Sequence, residues 1–262
     1  MKKITAALLA LVLILGMTAC GAFEETETIY VKTQSLRTIG EQTIRMEYTN
    51  SKTGVPVSVK TYFNDVLYQT ASTRTSGGVT YQTIVDQSGA STTQSTSTTK
   101  DAKGNVVMLE ISVGTTTVSR TTYTYDEQNR LTKGNTLTSL GVTDVTYTYD
   151  NAGNVAEKIV DDAANSSYIR TVYTYDARNY IQEEKSYDKN GALMGSIRYT
   201  YSADGRNTVM ESFDAEGNAT GEKVESQYDE HGNLIKEITS LNGEILQTTV
   251  NTYEALEVPV EK

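Results

Sequence analysis

From about residue 28 to the C-terminus, polar and apolar residues alternate with a period of two, the mark of half-buried strands, and no window carries a convincing helical stripe. Thr, Tyr, Val and Ile fill these runs, and all four suit a pleated surface. Turn signals separate them: Asn50–Gly54, Asn64-Asp65, Ser76–Gly78, Asp86–Gly89 and Asp101–Asn105 in the first half alone. The pattern predicts short antiparallel strands joined by hairpins. Ser88–Thr99 is so rich in Ser and Thr that it reads as either a strand or a flexible linker.

From Thr121 a repeat becomes plain. Its clearest copy is Tyr147-Thr148-Tyr149-Asp150-Asn151-Ala152-Gly153-Asn154, and the second Tyr recurs at Tyr125, Tyr149, Tyr175, Tyr201, Tyr228 and Tyr253, in steps of 24 to 27 residues. Each period holds another turn near its middle, such as Asp188–Gly191 or Asp214–Gly217, so one repeat is a hairpin and the array a meander. Asp at the first turn position can accept from backbone N–H groups ahead of it, and Gly at the fourth accepts the positive φ of a type I turn with a G1 bulge. Asn129 and Asn179 replace that Gly, and Asn tolerates positive φ well.

Tyr147 and Tyr149, Tyr173 and Tyr175, and Tyr199 and Tyr201 are each two apart, so both rings of a pair lie on one face of their strand. Ile169 and Ile197 continue that face, whereas Arg170, Thr174, Arg198 and Thr200 lie on the other. Both halves together give roughly 18 strands, about 86 Å of flat sheet, and open twisted sheets rarely exceed about 10 strands. The expected fold is therefore all-β: a long antiparallel meander forming a curled or spiralling sheet. A membrane-spanning barrel is rejected, because it would need a continuous lipid-facing apolar band and acidic residues such as Glu222 and Glu237 interrupt both faces.

The N-terminus alters the picture by supplying an address. Met1-Lys2-Lys3, an apolar run from Ile4 to Leu15, and small residues before Cys20 form a secretory signal. The run is too short to favour a spanning helix, which needs about 20 apolar residues. Met17-Thr18-Ala19-Cys20 resembles the lipobox of bacterial lipoproteins, which implies lipidation at Cys20, the only cysteine in the chain. The divisions expected are a signal peptide over 1–19, a tether over 20–27 reaching at most about 24 Å, hairpin strands over 28–120, the repeat array over 121–253 and a tail over 254–262. The protein is thus expected at the bacterial envelope or surface, secreted and held to a membrane by lipid.

Cleavage before Cys20 removes Lys2 and Lys3 from 23 basic residues, leaving 21 against 33 acidic ones, a net −12. That sign disfavours nucleic acid and anionic head groups, which bind through Lys and Arg. Eighteen Tyr against three Phe and no Trp argue against a thick dry core, because most large side chains carry a hydroxyl seeking a partner.

With these residues in view, the repeat resembles the YD repeat of bacterial Rhs-type proteins, whose motif is Tyr-x-Tyr-Asp, a two-residue spacer, then Gly and Arg or Asn. Tyr147–Asn154 matches fully, Tyr123–Asn129 and Tyr173–Asn179 match with Asn for Gly, and Tyr199–Arg206 departs at Ser202. The resemblance covers about residues 121–253 and implies a strip of hairpins; large members of the family form shells around a toxic domain, and some are thought to contact carbohydrate or other cells. The chain has too few repeats for such a shell and no toxic domain, so the resemblance carries over the architecture alone.

No constellation specifies chemistry. Turn acids such as Asp126, Asp150, Asp176 and Asp229 recur about 9.6 Å apart, whereas Ca²⁺ needs six to eight oxygens at about 2.3–2.6 Å, so they read as turn caps and no metal or cofactor is expected. His231, the only histidine, reads as exposed and chemically idle, and without a partner His or Cys it builds no metal or Cys–His site. There is no Gly-x-Ser-x-Gly elbow and no phosphate loop, so no enzyme is expected. The tyrosines Tyr147, Tyr149, Tyr173, Tyr175, Tyr199 and Tyr201 are the candidate surface for a glycan or an envelope protein, or else one packed side of a curled sheet. The expected function is a non-enzymatic interaction or adhesion module. A lipoprotein pairing through its sheet edges and a carrier of an apolar ligand inside a curled sheet are the alternatives.

Overall fold

The computed structural model describes residues 23–163 and 165–261, so the signal peptide and Cys20 lie outside the described residues. Eighteen strands follow one another with only turns between them. The first nine are β1 (Phe23–Ile39), β2 (Gln42–Asn50), β3 (Pro56–Phe63), β4 (Val66–Ser76), β5 (Val79–Asp86), β6 (Ser91–Lys100), β7 (Val106–Val113), β8 (Thr116–Tyr125) and β9 (Leu131–Thr138). The rest are β10 (Gly141–Tyr149), β11 (Val155–Asp162), β12 (Ser167–Tyr175), β13 (Ile181–Tyr187), β14 (Leu193–Tyr201), β15 (Asn207–Phe213), β16 (Ala219–Tyr228), β17 (Leu234–Leu241) and β18 (Glu244–Glu261). The Ser/Thr-rich stretch forms β6, as its β-propensity allows.

The all-β antiparallel meander is as the pattern predicts, but the sheet is closed rather than curled or spiralling. Every strand pairs with its successor, and β1 pairs antiparallel with β18 from Phe23↔Glu261 to Thr38↔Thr248. In an even-numbered meander the first and last strands run antiparallel, and pairing them satisfies two rows of backbone groups that an open sheet would expose. At about 4.8 Å per strand and a tilt of about 40°, such a wall closes roughly 36 Å across.

The wall is one layer thick. The accessible surface is 16934 Å², against roughly 11,300 Å² for a compact monomer of this mass. Among the described residues only Val59, Leu109 and Val258 are buried apolar side chains. Strand pairing, turn chemistry and side-chain contacts along each face therefore hold the fold in place of a core.

The register sorts strand residues into two faces. The motif tyrosines share theirs with Lys158, Glu184, Glu222 and Glu237. The opposite face carries ion pairs, including Arg120–Glu110, Arg170–Glu157 and Arg198–Glu183. Glu222 and Glu237 thus interrupt one face rather than both, while ion pairs interrupt the other; neither face offers an unbroken apolar band.

The turns take the predicted form. Gly153 N–H donates to Asp150 O at 3.1 Å, Asp150 N–H to Asn154 O at 2.8 Å, and Gly153 has φ of 89°. Asn129 and Asn179 take the same role with φ of 68° and 63°. Asp150 Oδ1 accepts from the N–H groups of Ala152 and Asn154. Where Ser202 replaces Asp, the loop closes one residue later, Ser202 N–H reaching Asn207 O at 2.9 Å.

Beyond the barrel, β1 and β18 continue as a two-stranded ribbon through the stretches expected to be tether and tail. The ribbon is fastened on both sides. Gly54 of the β2–β3 turn lies so close to Ile29 and Val31 that a Cβ there would collide with Ile29 Cδ1. On the other side His231 stacks on Tyr30 with ring centroids 3.7 Å apart. His231 is exposed, as the sequence suggests, and its ring packs the β16–β17 turn against the ribbon.

Candidate functional site: the tyrosine face

Strands β10, β12 and β14 bring Tyr147, Tyr149, Tyr173, Tyr175, Tyr199 and Tyr201 onto one face, as strand alternation requires. They form two rows with different chemistry. In the second row each hydroxyl donates to a carbonyl at the start of the preceding strand: Tyr149 to Leu131 O at 2.6 Å, Tyr175 to Val155 O at 2.8 Å and Tyr201 to Ile181 O at 2.8 Å. Tyr125 does the same to Val106 O, and Tyr253 to Leu234 O. Turn arginines cover some of these rings, Arg130 standing 4.4 Å from the Tyr149 centroid and Arg178 5.9 Å from that of Tyr201. Burial raises the phenol pKa of Tyr149, Tyr175 and Tyr201. The second row is a series of structural latches.

The first row, Tyr147, Tyr173 and Tyr199, is set back from the turns, its members about 9.6 Å apart on alternate strands. Tyr173 lies directly opposite Glu184, and Tyr199 donates to Glu184 Oε1 at 2.7 Å. Burial, reinforced by that hydrogen bond, holds the Tyr199 phenol far above its ordinary pKa. Lys158 lies opposite Tyr147. The row therefore combines half-covered rings with a carboxylate and an ammonium in the intervening strands, a composition suited to stacking and hydroxyl recognition. Glu184 and Lys158 are not singled out by the sequence, because only the register shows that they join the tyrosines. Alternation around β13 and β11 is the signal that could have found them.

Among the described residues no three His, Cys, Asp or Glu side chains are grouped to hold a metal ion. Two open depressions, of about 460 and 380 Å³, are lined mostly by residues of the opposite face, such as Lys223 and Glu225 in the larger and Glu183 and Arg198 in the smaller.

No family model matches the chain, and no curated protein matches it in sequence. Among solved structures it is similar to TcdB2-TccC3-Cdc42, with a TM-score of 0.38 and 13% identity over 82% of this chain and 12% of that one. It is also similar to the Photorhabdus luminescens Tc holotoxin pore, with a TM-score of 0.37 and 12% identity over 79% of this chain and 14% of that one. A porin-like protein from Bacteroides uniformis gives a TM-score of 0.44 and 13% identity over 85% of this chain and 98% of that one. The chain spans only a small part of the two toxin chains.

Proposed function

We propose that the protein is a lipid-anchored bacterial envelope protein acting as a non-enzymatic interaction or adhesion module, with the Tyr147, Tyr173 and Tyr199 row binding carbohydrate or protein. The carrying observation is that the wall is a single layer, so these rings stand beside Glu184 and Lys158 with no second sheet packed over them. The envelope address rests on the signal and on Cys20, through which lipid would attach the chain to a membrane. The likeness to YD repeats rests on the motif residues and accords with the turn geometry at Asp150 and Gly153.

Of the alternatives, a carrier gains from closure, since a hollow wall offers an enclosed space. Assembly through sheet edges loses ground, because β1 and β18 occupy each other's edges along the barrel. A glycan array tests the leading reading: Tyr173→Ala and Tyr199→Ala abolish binding if it is right. A bound glycan unaffected by both substitutions refutes the tyrosine row as the binding surface, and co-purified lipid in place of any glycan or protein refutes the module itself.

A further inference from the structure

Closure creates a second polar site on the tyrosine face, at the seam. There β17, β18, β1 and β2 lie side by side, and the register sets Glu237 opposite Thr249 and Thr249 opposite Arg37 in one cross-strand row. The next row pairs Asn251 with Ser35 and Ser35 with Met46, and Tyr48 stands two residues beyond Met46. This patch holds the two most covered polar residues described, Ser35 at 4% and Asn251 at 6% exposure, with Thr249 at 9% beside them.

The covered groups are not satisfied. Arg37 Nε, Thr249 Oγ1 and Asn251 Oδ1 are buried without a hydrogen-bond partner, as is Asn50 Oδ1 farther along β2. The Asn251 amide N–H₂ donates to Leu234 O at 2.8 Å, which leaves its oxygen to accept. Arg37 also departs from the other eight arginines. Each of those meets a carboxylate or, for Arg74, the Tyr81 ring. Every other strand arginine lies on the opposite face. Arg37 has neither ion pair nor ring among the described residues, and Glu237 in the same row makes no ion pair with it.

An unpaired guanidinium asks for a planar oxyanion, since its fork matches a carboxylate in two parallel hydrogen bonds. Oxygens lacking a donor ask for hydroxyl groups, and the Glu237 carboxylate can accept from more of them. The Tyr48 ring supplies an apolar edge. We propose that the seam binds a carboxylated sugar, its carboxylate on the terminal guanidinium nitrogens of Arg37 and its hydroxyls on Glu237, over the covered Asn251 and Thr249 oxygens. This rests on the interaction-module reading and deepens it by naming a ligand class and a position separate from the tyrosine row.

Calorimetric titration of the full chain with glucuronate, its neutral isostere glucuronamide, and glucose tests it. Glucuronate is expected to bind at least about tenfold more tightly than either neutral sugar, and less tightly as salt rises. Arg37→Gln should bring glucuronate down to the glucuronamide level with an unchanged circular dichroism spectrum, while Arg120→Gln on the opposite face changes nothing. Because the isostere needs no mutation, misfolding of a variant does not blunt the test. Equal binding of glucuronate and glucuronamide, or parental binding by folded Arg37→Gln, overturns the proposal. If the glycan array still shows tyrosine-dependent binding, this inference alone falls. If glucuronate and the array are both silent, the interaction-module reading falls with it.

Discussion

Replacing the second-row tyrosines with Phe tests whether the latches carry stability in a protein without a core. Tyr→Phe at 125, 149, 175 and 201 keeps each ring and removes one hydroxyl, which donates at 2.8, 2.6, 2.8 and 2.8 Å respectively. A net hydrogen bond contributes about 0.5–1.5 kcal/mol, so each change should cost about 1 kcal/mol. The acceptor carbonyls begin β7, β9, β11 and β13, about 9.6 Å apart, a separation at which effects add. The quadruple variant should then lose about 4 kcal/mol, a large share of the roughly 5–15 kcal/mol that holds a typical domain. In urea, with a slope of about 2–3 kcal/mol/M, the midpoint should fall by about 1–2 M with the slope unchanged. Tyr147→Phe is the control, because the Tyr147 hydroxyl makes no hydrogen bond among the described residues. A quadruple variant within about 1 kcal/mol of the parent would refute the latch account, as would a Tyr147→Phe cost equal to that of Tyr149→Phe.

Stability should also fall off at both ends of the pH scale. Backbone N–H donors at Arg130, Tyr180 and Asn218 hold the carboxyls of Asp126, Asp176 and Asp214 below their ordinary pKa. Their contribution is present above the unfolded value near 3.9 and is lost as pH falls through the lower folded value. Burial raises the phenols of Tyr149 and Tyr201, so theirs is present below about pH 10 and lost as pH rises through the folded value. Thermal melts should show both limbs, and combined Asn substitutions at the three aspartates should flatten the acid one; an unchanged acid limb would count against the turn-cap account. Gly54→Ala puts a Cβ at positive φ against Ile29 and should cost about 1–3 kcal/mol. Amide exchange should localise that loss to the ribbon portion of β1 and leave β12 protected, whereas Gly153→Asn is nearly neutral because Asn179 already occupies the equivalent position.

Turns were the most legible feature of the chain. Asp150, Gly153 and Asn154 act locally, within five residues, so their chemistry survives reading without a fold. The tyrosine face was legible for the same reason, since alternation is a property of one strand. Their division into two rows was not, because Tyr149 meets its carbonyl acceptor eighteen residues away, Tyr199 meets Glu184 instead, and Tyr147 meets no acceptor among the described residues. The packing role of His231 was not legible, because its partner, Tyr30, lies two hundred residues earlier, at the start of the hairpin strands.

By itself the sequence determined an all-β meander of hairpins, the face on which its tyrosines lie and the conformation of its turns, all of which follow from periods and residues close together in the chain. Only the tertiary structure decided that β1 and β18 meet, that the wall is therefore closed, and that Arg37 lies beside Thr249 and Asn251. Closure depends on twist summed over eighteen strands and on pairing between residues more than two hundred apart, and no local pattern encodes either.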